Sequence, residues 1–522
     1  MLKINNVKVS LNEKDYRKSI STKLNVPQRM IKEIKILKKS IDARRAHVAF
    51  ICSFAFSVDK EEELLERFPK ELTIYKPYEY VYPKKNEKKV VIVGSGPAGL
   101  FCAYVLSHIH QKVVLVERGA PVEQRIKDVD ELVKTGTLNP NSNIAFGEGG
   151  AGTFSDGKLT TGIKNPRIPF ILQTFIDHGA PEDIGYLSMP HIGTDRLRSV
   201  IRSMRKDIIA HGGEVMFNTK FEDFKETKSG HEVIVSKEGK KISLETDALV
   251  LAIGHSARDT YEMLCEKHME MEAKSFAIGV RIEQSQKKIN AIQYGKQANH
   301  PALGAAPYKL AVQTSKKRGV YTFCMCPGGY IVPSSTIEGE LCVNGMSYYD
   351  RLGENANSAI LVTVDKKDYP EDHPLSGIAF QRALEKKAFE AGGGAMKAAV
   401  QRVVDYLNNK PSTDLGDIKP TYKPGYTLTN INEIFPDFIN ENLHEGLQLM
   451  NHRMKGFYDE QSIITGIEGR SSAPVRLIRN QDMVSSIGWI YPIGEGAGYA
   501  GGIMSSAIDG ILCAEKICEE EK

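Results

Sequence analysis

The segment 88–117 constrains the fold of this 522-residue chain more than any other. It opens with Val90–Val93, a β-branched run typical of a strand that is buried on both faces of a parallel sheet. Gly94, Gly96 and Gly99 follow in the spacing G-x-G-x-x-G. Without side chains, these positions permit a tight turn, a close approach of the backbone to a pyrophosphate, and close packing of a helix on a strand. The pattern predicts a dinucleotide-binding β-α-β unit.

The residues after this turn fit the same interpretation. A helix is predicted from Pro97 to His108, because proline suits a first helical turn that needs no N–H, and its free N–H groups would face the phosphates. The strand 112–116 ends at Glu117, whose carboxylate suits ribose hydroxyls and would repel a 2′-phosphate. The residues of this unit that we expect to bind the dinucleotide are Gly94, Gly96, Pro97, Ala98, Gly99, Glu117 and Arg118.

The order of the following elements favours FAD over NAD. A helix is predicted for 194–210 and a strand for 214–218, then alternating strands at 231–236 and 241–244, and the apolar strand 248–254. A parallel strand, a small antiparallel excursion and an apolar strand that stops at glycine form the order in which FAD domains of the glutathione-reductase type are built. The sequence contains no second strand-linked G-x-G-x-x-G, so a separate NAD(P)H domain is not expected.

The stretch 489–517 is predicted to complete the FAD site. Residues 490–493 are the expected last strand, and 503–517 the expected last helix, whose free N–H groups would stabilise negative charge on the reduced flavin. The cofactor-binding residues expected from this stretch are Gly494, Glu495, Gly501, Gly502 and Ile503.

A second glycine-rich run, 146–161, precedes no helix of the phosphate-binding kind. A backbone with so few side chains can approach something large and flat, although a flexible surface loop is the alternative interpretation. We expect Gly150 and Lys158 from this run, together with Gly254 at the end of its strand, to contact the cofactor.

Composition indicates a folded protein of the soluble, globular kind. The chain is 41% hydrophobic and 26% charged, and it contains no apolar stretch long enough for a transmembrane helix. The first ten residues have neither an apolar h-region nor a small-residue cleavage site, so a cytoplasmic location is expected. Eight scattered cysteines without C-x-x-C spacing favour reduced thiols over a disulfide framework or a zinc site, and no metal is expected.

Residues 1–86 are predicted to form a small basic α/β domain. Residues 1–89 carry 21 Lys/Arg against 12 Asp/Glu, whereas the net charge of the whole chain is only +4. This excess invites a nucleic-acid interpretation, but the lysines are dispersed and are not gathered with aromatic stacking residues. The predicted elements are helices at 15–24, 27–39 and 61–67, a strand at 47–58 and a linker at 77–86.

Residues 271–465 are predicted to form a substrate domain inserted between two parts of the FAD-binding domain, 87–270 and 466–522. Its sheet would cover the flavin face. The fold class is therefore α/β, a Rossmann-like FAD-binding domain with an inserted mixed α+β substrate domain and a small N-terminal α/β domain. The elements expected in the insertion are strands at 276–283 and 320–332, a largely helical stretch at 374–407 and a proline-bearing loop at 410–425.

Nearly the whole chain resembles a bacterial family of FAD-dependent dehydrogenases and oxidoreductases. This family lies in the glutathione-reductase-like FAD superfamily and has a single nucleotide-binding domain. The resemblance implies FAD and a flavin oxidoreductase fold, but it does not imply a substrate. The matching segments are VVIVGSGPAGL, GEGGAGTFSDGKL, LAIGHSARDT, FAIGVRIEQ, FCMCPGGY, NANS, EGRSSAPVRLIR, GEGAGYAGGIMSSAIDGI and, near the N-terminus, SIDARRAHVAF.

Four groups of side chains are candidates for catalysis. Cys324 and Cys326 would share one face of a strand and could act as a thiol redox pair or simply be buried. His255 is a candidate general base or proton relay, with a structural role as the alternative. Arg281, Arg470 and Arg476 could clamp a substrate carboxylate or form surface ion pairs, and Lys158 could approach the flavin or a substrate anion.

These features predict an FAD-dependent oxidoreductase that transfers a hydride between a small-molecule substrate and the flavin. The sequence does not select the substrate or the electron acceptor. A flavin monooxygenase and an NAD(P)H-dependent flavin reductase remain as enzyme alternatives. An FAD-containing RNA-binding or RNA-modifying protein that uses the basic N-terminal segment, and a flavin-dependent scaffold, are alternatives from other classes.

Overall fold

An antiparallel four-stranded sheet with two helices forms the N-terminal region of the computed structural model, which describes residues 1–44, 47–228 and 230–519. Its elements are β1 (Leu2–Val9), α1 (Tyr16–Leu24), β2 (Ile34–Asp42), β3 (Ala49–Phe56), α2 (Glu61–Arg67) and β4 (Leu72–Ile74). The strand order β2-β3-β1-β4 and the β-α-β-β-α-β sequence of elements make a ferredoxin-like motif. Arg45 and Ala46, within the family-like stretch 40–50, lie outside the described residues.

The helix predicted for 27–39 is wrong. These residues form a short 3₁₀ turn at Gln28–Met30 and then enter β2. Apolar residues at 31, 34 and 37 fit a helical period, but Ile34 and Ile36 also alternate as strand residues do. Pairing of β2 with β3 satisfies the backbone and decides between the two patterns, as tertiary context commonly does.

The aromatic side chains of β3 are buried. Phe50, Phe54 and Phe56 are at most 6% exposed, so they are not available to stack on nucleic-acid bases. The same region is tied to the rest of the chain by backbone hydrogen bonds from Lys39 N–H to the Tyr186 carbonyl at 2.7 Å, and from Val48 N–H to the side chain of Gln297 at 2.6 Å.

The remaining elements begin at residue 89. Those up to residue 266 are β5 (Lys89–Val93), α3 (Pro97–His108), β6 (Lys112–Val116), α4 (Val122–Thr135), α5 (Ile168–Asp177), α6 (Thr194–Ala210), β7 (Glu214–Met216), β8 (Thr219–Thr227), β9 (Gly230–Lys237), β10 (Lys240–Thr246), β11 (Ala248–Leu251) and α7 (Arg258–Glu266). Those that follow are β12 (Met271–Ala273), β13 (Phe276–Ser285), α8 (Gln286–Tyr294), β14 (Ala311–Gln313), β15 (Gly319–Cys326), β16 (Tyr330–Pro333), β17 (Val343–Met346), β18 (Asn355–Val364), α9 (Ser376–Ala391), β19 (Ala398–Arg402), α10 (Val403–Leu407), β20 (Tyr426–Leu428), α11 (Asp437–Arg453), β21 (Ile463–Glu468), β22 (Val475–Leu477), β23 (Ile490–Pro492) and α12 (Ile503–Cys518).

A five-stranded parallel sheet, ordered β23-β11-β5-β6-β7, carries the glycine turn. Alternate residues of β5 serve different cores. Val90 and Ile92 pack in a core with α3, α5, α6 and α12, whereas Val91 and Val93 pack with α7 and the antiparallel sheet β10-β9-β8. Both faces of β5 are therefore buried, as its β-branched sequence predicts.

Three expectations for strands and helices differ from the structure. The antiparallel excursion has three strands, because β8 precedes the two that were predicted. Residues 320–332 form parts of two strands, β15 and β16, since the turn at Pro327 and Gly328 ends the first one. Residues 398–402, expected to be helical, form β19, whose backbone pairs with both β21 and β20.

A seven-stranded sheet, ordered β14-β15-β18-β13-β21-β19-β20, occupies most of the region between α7 and β22. Its central strand β13 is buried along almost its whole length. No helix in the described part of the chain is long and apolar enough to cross a membrane.

Helices α3 and α12 pack against each other through glycine. A Cβ at Gly510 would lie 2.1 Å from the carbonyl oxygen of Ala98, so only glycine permits this approach. A Cβ at Gly494 would also crowd Ala98, at 2.8 Å from its Cβ. The first turn of α3 therefore lies directly against the middle of α12.

We predict that Gly510→Ala lowers the melting temperature and reduces the amount of FAD that copurifies. Alanine has a higher intrinsic helix propensity than glycine, so the substitution by itself would favour the helix. A loss of stability, expected to be about 1–3 kcal/mol for an overpacked core, would therefore come from the clash with Ala98. The matched control is Gly488→Ala, at an exposed glycine where no described atom lies within 4 Å of the added Cβ. An unchanged melting temperature and cofactor content in Gly510→Ala would contradict the prediction.

Candidate functional site

A cavity of about 440 Å³ lies at the carboxyl ends of β5, β11 and β23, where ligands bind in open α/β sheets. Its walls come from both glycine-rich segments, the start of α12, and residues 322–327 at the end of β15. The predicted cofactor-binding residues that line it are Gly94, Gly96, Pro97, Ala98, Glu117, Arg118, Gly150, Lys158, Gly254, Gly494, Glu495, Gly501, Gly502 and Ile503.

The glycine turn is packed too tightly for side chains. Gly94 has φ +100°, and a Cβ there would lie 2.3 Å from the carbonyl oxygen of Ala252. A Cβ at Gly99 would lie 1.9 Å from the carbonyl oxygen of Gly94, so Gly99 supports the turn by packing beneath it. These contacts hold the start of α3 directly against the end of the parallel sheet, which is the arrangement a bound pyrophosphate requires.

The second glycine-rich run packs against the first. A Cβ at Gly150 would approach the Cα of Gly96 to 2.9 Å, and most residues from 146 to 159 are buried. The alternative interpretation as a flexible surface loop is therefore wrong. At Gly254, Gly501 and Gly502, by contrast, no described atom lies within 4 Å of an added Cβ, so bare backbone borders open space. This cradle fits a large dinucleotide such as FAD.

Glu117 is held by four protein donors. One carboxylate oxygen accepts hydrogen bonds from the Ser95 N–H at 2.9 Å and the Ser95 hydroxyl at 2.8 Å, and the other accepts from the N–H groups of Gly119 and Gly147 at 2.9 and 3.1 Å. A carboxylate offers about four acceptor sites. Ribose hydroxyls would therefore have to share this carboxylate with Ser95 or replace its hydroxyl.

The start of α12 lines the cavity with backbone. Gly502 precedes the helix and has no side chain to cap it, so the N–H groups of the first turn are available to an anionic group. Glu495 lies in the same wall. Burial raises the pKa of Glu495 to about 7, although Lys274 opposes this shift. Its carboxyl group therefore exchanges a proton near neutral pH.

His255 lines the cavity as a neutral imidazole. Burial, with the nearby Arg470 and Arg258, lowers the pKa of His255 to about 4. Its Nδ1 lies 2.9 Å from the hydroxyl of Ser256. A base whose conjugate acid is this strong takes up a proton poorly at pH 7, so the site suits His255 as a hydrogen-bond partner or relay better than as a strong general base.

Arg470 belongs to a buried ion-pair network beside His255. It donates two hydrogen bonds to Glu385, at 2.9 and 2.7 Å, and Arg258 donates two more, at 2.8 and 2.9 Å. Arg258 also donates to Glu340 at 2.8 Å. Burial alone would raise the pKa of Glu385, but Arg470 and Arg258 hold it at about 2. The charge of Arg470 is thus already matched within the protein.

Arg281 lies behind the cavity wall. It is fully buried, forms an ion pair with Glu468, and donates hydrogen bonds to the Cys324 carbonyl at 2.5 Å and to the Cys326 sulfur at 3.5 Å. Its fourth partner is the side-chain oxygen of Asn357, at 2.7 Å. These contacts fix the end of β15, so Arg281 acts on the cavity through the residues it holds.

Cys324 and Cys326 both line the cavity, but they do not share one face of a regular strand. A bulge between Phe323 and Cys326 breaks the alternation of side chains, and Cys324 has φ +40°. The Cys324 side chain is open to the cavity, whereas Cys326 is buried and its thiol donates to the Cys324 carbonyl at 3.2 Å. Burial raises the pKa of both thiols, to about 12 for Cys324. Both are therefore thiols at neutral pH.

Lys158 bridges the second glycine-rich run and the end of β15. Its ammonium group donates a hydrogen bond to the Met325 carbonyl and lies 4.0 Å from the Cys326 sulfur and 3.9 Å from a carboxylate oxygen of Asp156. Asp156 in turn accepts hydrogen bonds from Arg351 at 3.1 and 2.6 Å. A cation and an ion pair therefore border the cavity on the side of the seven-stranded sheet.

Sequence reasoning missed several cavity residues and misplaced one. Asp156 and Arg351 line the cavity, and Asp156 could have been found from its place in the glycine-rich run, two residues before Lys158. Arg351 gave no local signal, because its role arises from pairing with a residue far away in the sequence. Arg476 lies away from the cavity lining, 3.6 Å from Glu272 and with its guanidinium 5.3 Å from the Tyr499 ring centre.

We predict that Glu385→Gln destabilises the protein by about 3–5 kcal/mol at pH 7, because Arg258 and Arg470 would keep buried charges without a full counter-charge. The pKa of Glu385 lies below its ordinary value of 4.5, so its stabilising effect is complete above that pH and is lost as the pH falls towards about 2. The difference between the wild-type protein and Glu385→Gln in the free energy of unfolding by urea should therefore become smaller as the pH falls from 4.5 towards about 2. Glu390→Gln, an exposed glutamate on the same helix, is the control. Equal stability of the two variants at pH 7 would contradict the prediction.

Three family models match parts of the chain. Residues 275–471 match "FAD-dependent protein, C-terminal domain-like", residues 89–126 match "FAD binding domain", and residues 1–57 match a domain of unknown function. An uncharacterized protein of Clostridium beijerinckii is 47% identical over 530 residues, covering 99% of each chain.

Solved flavoprotein structures are similar at a lower level. The flavin-dependent brominase Bmp2 is 13% identical, with a TM-score of 0.37 over 83% of this chain and 79% of that one. CtdE in complex with FAD is 11% identical, with a TM-score of 0.32 over 83% and 84%. Escherichia coli quinol fumarate reductase FrdA is 12% identical, with a TM-score of 0.36 over 83% and 70%. The cofactor of this chain is FAD.

Proposed function

Since this chain belongs to the family of FAD-dependent proteins that includes the Clostridium beijerinckii relative, we propose that it is an FAD-dependent dehydrogenase. It transfers a hydride between a small-molecule substrate and the flavin. FAD supplies the redox chemistry, and the protein binds and orients the reactants.

The observation that carries this proposal is the composition of one cavity. One side consists of the glycine turn, Glu117 and the start of α12, the elements suited to an anionic dinucleotide. The other side consists of residues 322–327 with Lys158, which come from outside that unit. A cavity that joins a cofactor cradle to a separate polar and thiol-bearing wall provides room for a second reactant.

We assign the two sides different roles. The N–H groups at the start of α3 would hold the diphosphate, and those at the start of α12 would stabilise negative charge on the flavin ring. Lys158, on the opposite side, would supply positive charge to the second reactant or the flavin. His255, as a neutral imidazole, serves as a hydrogen-bond partner that relays a proton through Ser256. Glu495 holds or releases a proton near pH 7. Arg281 is a positioning residue that fixes the Cys324–Cys326 segment.

The test of the proposal is anaerobic flavin reduction. The purified protein should be yellow and release FAD on denaturation, and a panel of alcohols, amines, 2-hydroxy acids and amino acids should include a compound that bleaches the flavin absorbance without NAD(P)H. Gly94→Ala is the cofactor-free control, because its Cβ would lie 2.3 Å from the Ala252 carbonyl oxygen. That variant should be colourless and should react with none of the panel.

Other outcomes would select other functions. Rapid bleaching by NADH or NADPH in the absence of a substrate would replace the dehydrogenase by a flavin monooxygenase or an NAD(P)H-dependent reductase. A bound flavin that neither the panel nor dithionite reduces would indicate a scaffold. A colourless protein that cannot be reconstituted with FAD would overturn the proposal entirely.

We predict that Cys324→Ser and Cys326→Ser each keep flavin reduction within about tenfold of the wild-type rate. Their raised pKa values leave few thiolates at pH 7, and the thiolate is the reactive form. Serine preserves the size of the side chain at the cavity wall. Anaerobic stopped-flow absorbance measures the rate with the compound identified above, and flavin content is the control for folding. Complete loss of reduction in both variants, with flavin retained, would establish a thiol redox pair instead.

A further inference from the structure

Three helices end at one place on the protein, and each end carries a histidine. His108 is the last residue of α3, and His178 and His211 follow the last residues of α5 and α6 directly. Asp207, in the last turn of α6, lies among them. Its carboxylate oxygens are 3.3 Å from His108 Nε2, 3.3 Å from His178 Nε2 and 3.2 Å from His211 Nδ1.

The backbone fixes which nitrogen of each ring carries hydrogen. In all three residues, Nδ1 lies within hydrogen-bond distance of the carbonyl four residues earlier, at 2.8 Å for His108, 2.7 Å for His178 and 2.9 Å for His211. A carbonyl only accepts, so each Nδ1 must donate. In a neutral imidazole the other nitrogen, Nε2, then presents a lone pair.

This arrangement places acceptors against acceptors. The Nε2 atoms of His108 and His178 both lie 3.3 Å from the same Asp207 oxygen, and both present lone pairs to it when the rings are neutral. Such groups repel one another unless a positive charge lies between them. The separation matches the distance of about 3.3 Å between two ligand atoms of a tetrahedral ion with bonds of 2.0–2.1 Å.

The His211 ring lies beside the same carboxylate, and since its Nδ1 donates to the Asp207 carbonyl, its Nε2 is the nitrogen that can serve as a ligand. Its ring stacks on that of His108 with the centroids 3.9 Å apart. One ligand atom each from His108, Asp207 and His211 lie within 4.8 Å of one another. Two imidazoles and one carboxylate thus form a group of three, and His178 contacts the same carboxylate; these four residues are here called the histidine cluster (His108, His178, Asp207 and His211).

We propose that the histidine cluster binds a divalent transition-metal ion, for which Zn²⁺ is the best match. Imidazole nitrogen and carboxylate oxygen are zinc ligands, and a carbonyl that accepts from the second ring nitrogen is the usual partner of a metal-bound histidine. Three helix C-termini supply partial negative charge that favours a cation. The side chains of His108, Asp207 and His211 are 16%, 29% and 34% exposed, which leaves a path for the ion.

The site is independent of the flavin chemistry. Helix α3 begins at the dinucleotide turn and ends at His108, so its length of about 18 Å separates the two places. A metal ion there would join the ends of α3, α5 and α6, whose other residues form one core. Its role is to hold these helices together, so it should raise stability without changing the flavin spectrum.

The test is metal binding by the FAD-loaded, tag-free protein after removal of metals with a chelator. Equilibrium dialysis against Zn²⁺ with elemental analysis should give one ion per chain, and excess Zn²⁺ should raise the melting temperature. Co²⁺ should compete for the same site and add a d–d absorption band on the long-wavelength side of the flavin bands. Flavin content and the flavin spectrum show whether each sample is folded.

Variants identify the ligands. Asp207→Asn keeps the size of the side chain but removes its charge, and His108→Ala removes one imidazole of the close group; each should weaken Zn²⁺ binding by more than the ten- to hundredfold that loss of an outer-shell partner costs. His110→Asn is the matched control, because His110 is an exposed neighbouring histidine whose ring centre lies 6.3 Å from that of His211. Failure to bind one Zn²⁺ per chain, or binding that both ligand variants leave unchanged, would overturn the proposal, as would equal loss in His110→Asn.

Discussion

The close contact between α3 and α12 is the constraint on which the functional site depends. Because Gly510 has no side chain, the carbonyl of Ala98 can approach it to a distance that a Cβ would not permit. Gly494 also lies beside Ala98, and a Cβ there would be 2.8 Å from the Ala98 Cβ. Since both helices begin at the cavity, the contact directs two sets of free N–H groups and two positive dipole ends into one space. An anionic cofactor is the natural occupant of such a space, and two distant parts of the sequence must meet correctly to form it.

Buried charge connects this cradle to the seven-stranded sheet. Arg258 starts α7 next to the parallel sheet, Glu385 lies on α9, and Arg470 follows β21. Replacing such a network by apolar side chains is often neutral or stabilising. We therefore expect this network to matter more for the orientation of the segments it joins than for the net stability of the fold. Arg258 anchors the chain just after His255 and Ser256, and Arg470 donates a hydrogen bond to the Ser256 hydroxyl at 3.3 Å; with burial, the two arginines keep the imidazole neutral in the cavity wall.

Local patterns predicted the parts of the fold whose causes are local. Residues 97–108, 194–210 and 61–67 are helical as expected, because each has in its first turn a residue that suits this position: Pro97, Asp195 and Glu61. Residues 34–39 and 398–402 fall in segments predicted to be helical but form strands, because the partner strands that satisfy their backbones lie elsewhere in the sequence.

The candidate site divides in the same way. The spacing of the glycines indicated most of the cofactor cradle, because a segment that needs a bare backbone has its glycines close together in the sequence. The pairing of Asp156 with Arg351, the bulge at Cys324 and the placement of Arg281 behind the wall all arise from contacts between distant segments. The histidine cluster is also non-local, because it forms only where three helices end together. Spacing between its members in the sequence carries no metal-binding signature.

Helices α3 and α12 are made at very different times during translation, and this affects how their contact forms. During translation, the glycine turn and the central strands leave the ribosome long before β23 and α12, with the whole seven-stranded sheet made in between. Until those last elements emerge, α3 exposes the apolar face that α12 later covers, a state that favours aggregation and chaperone binding. Because the start of α12 forms part of the cavity wall, we expect tight FAD binding only after this C-terminal helix has been made.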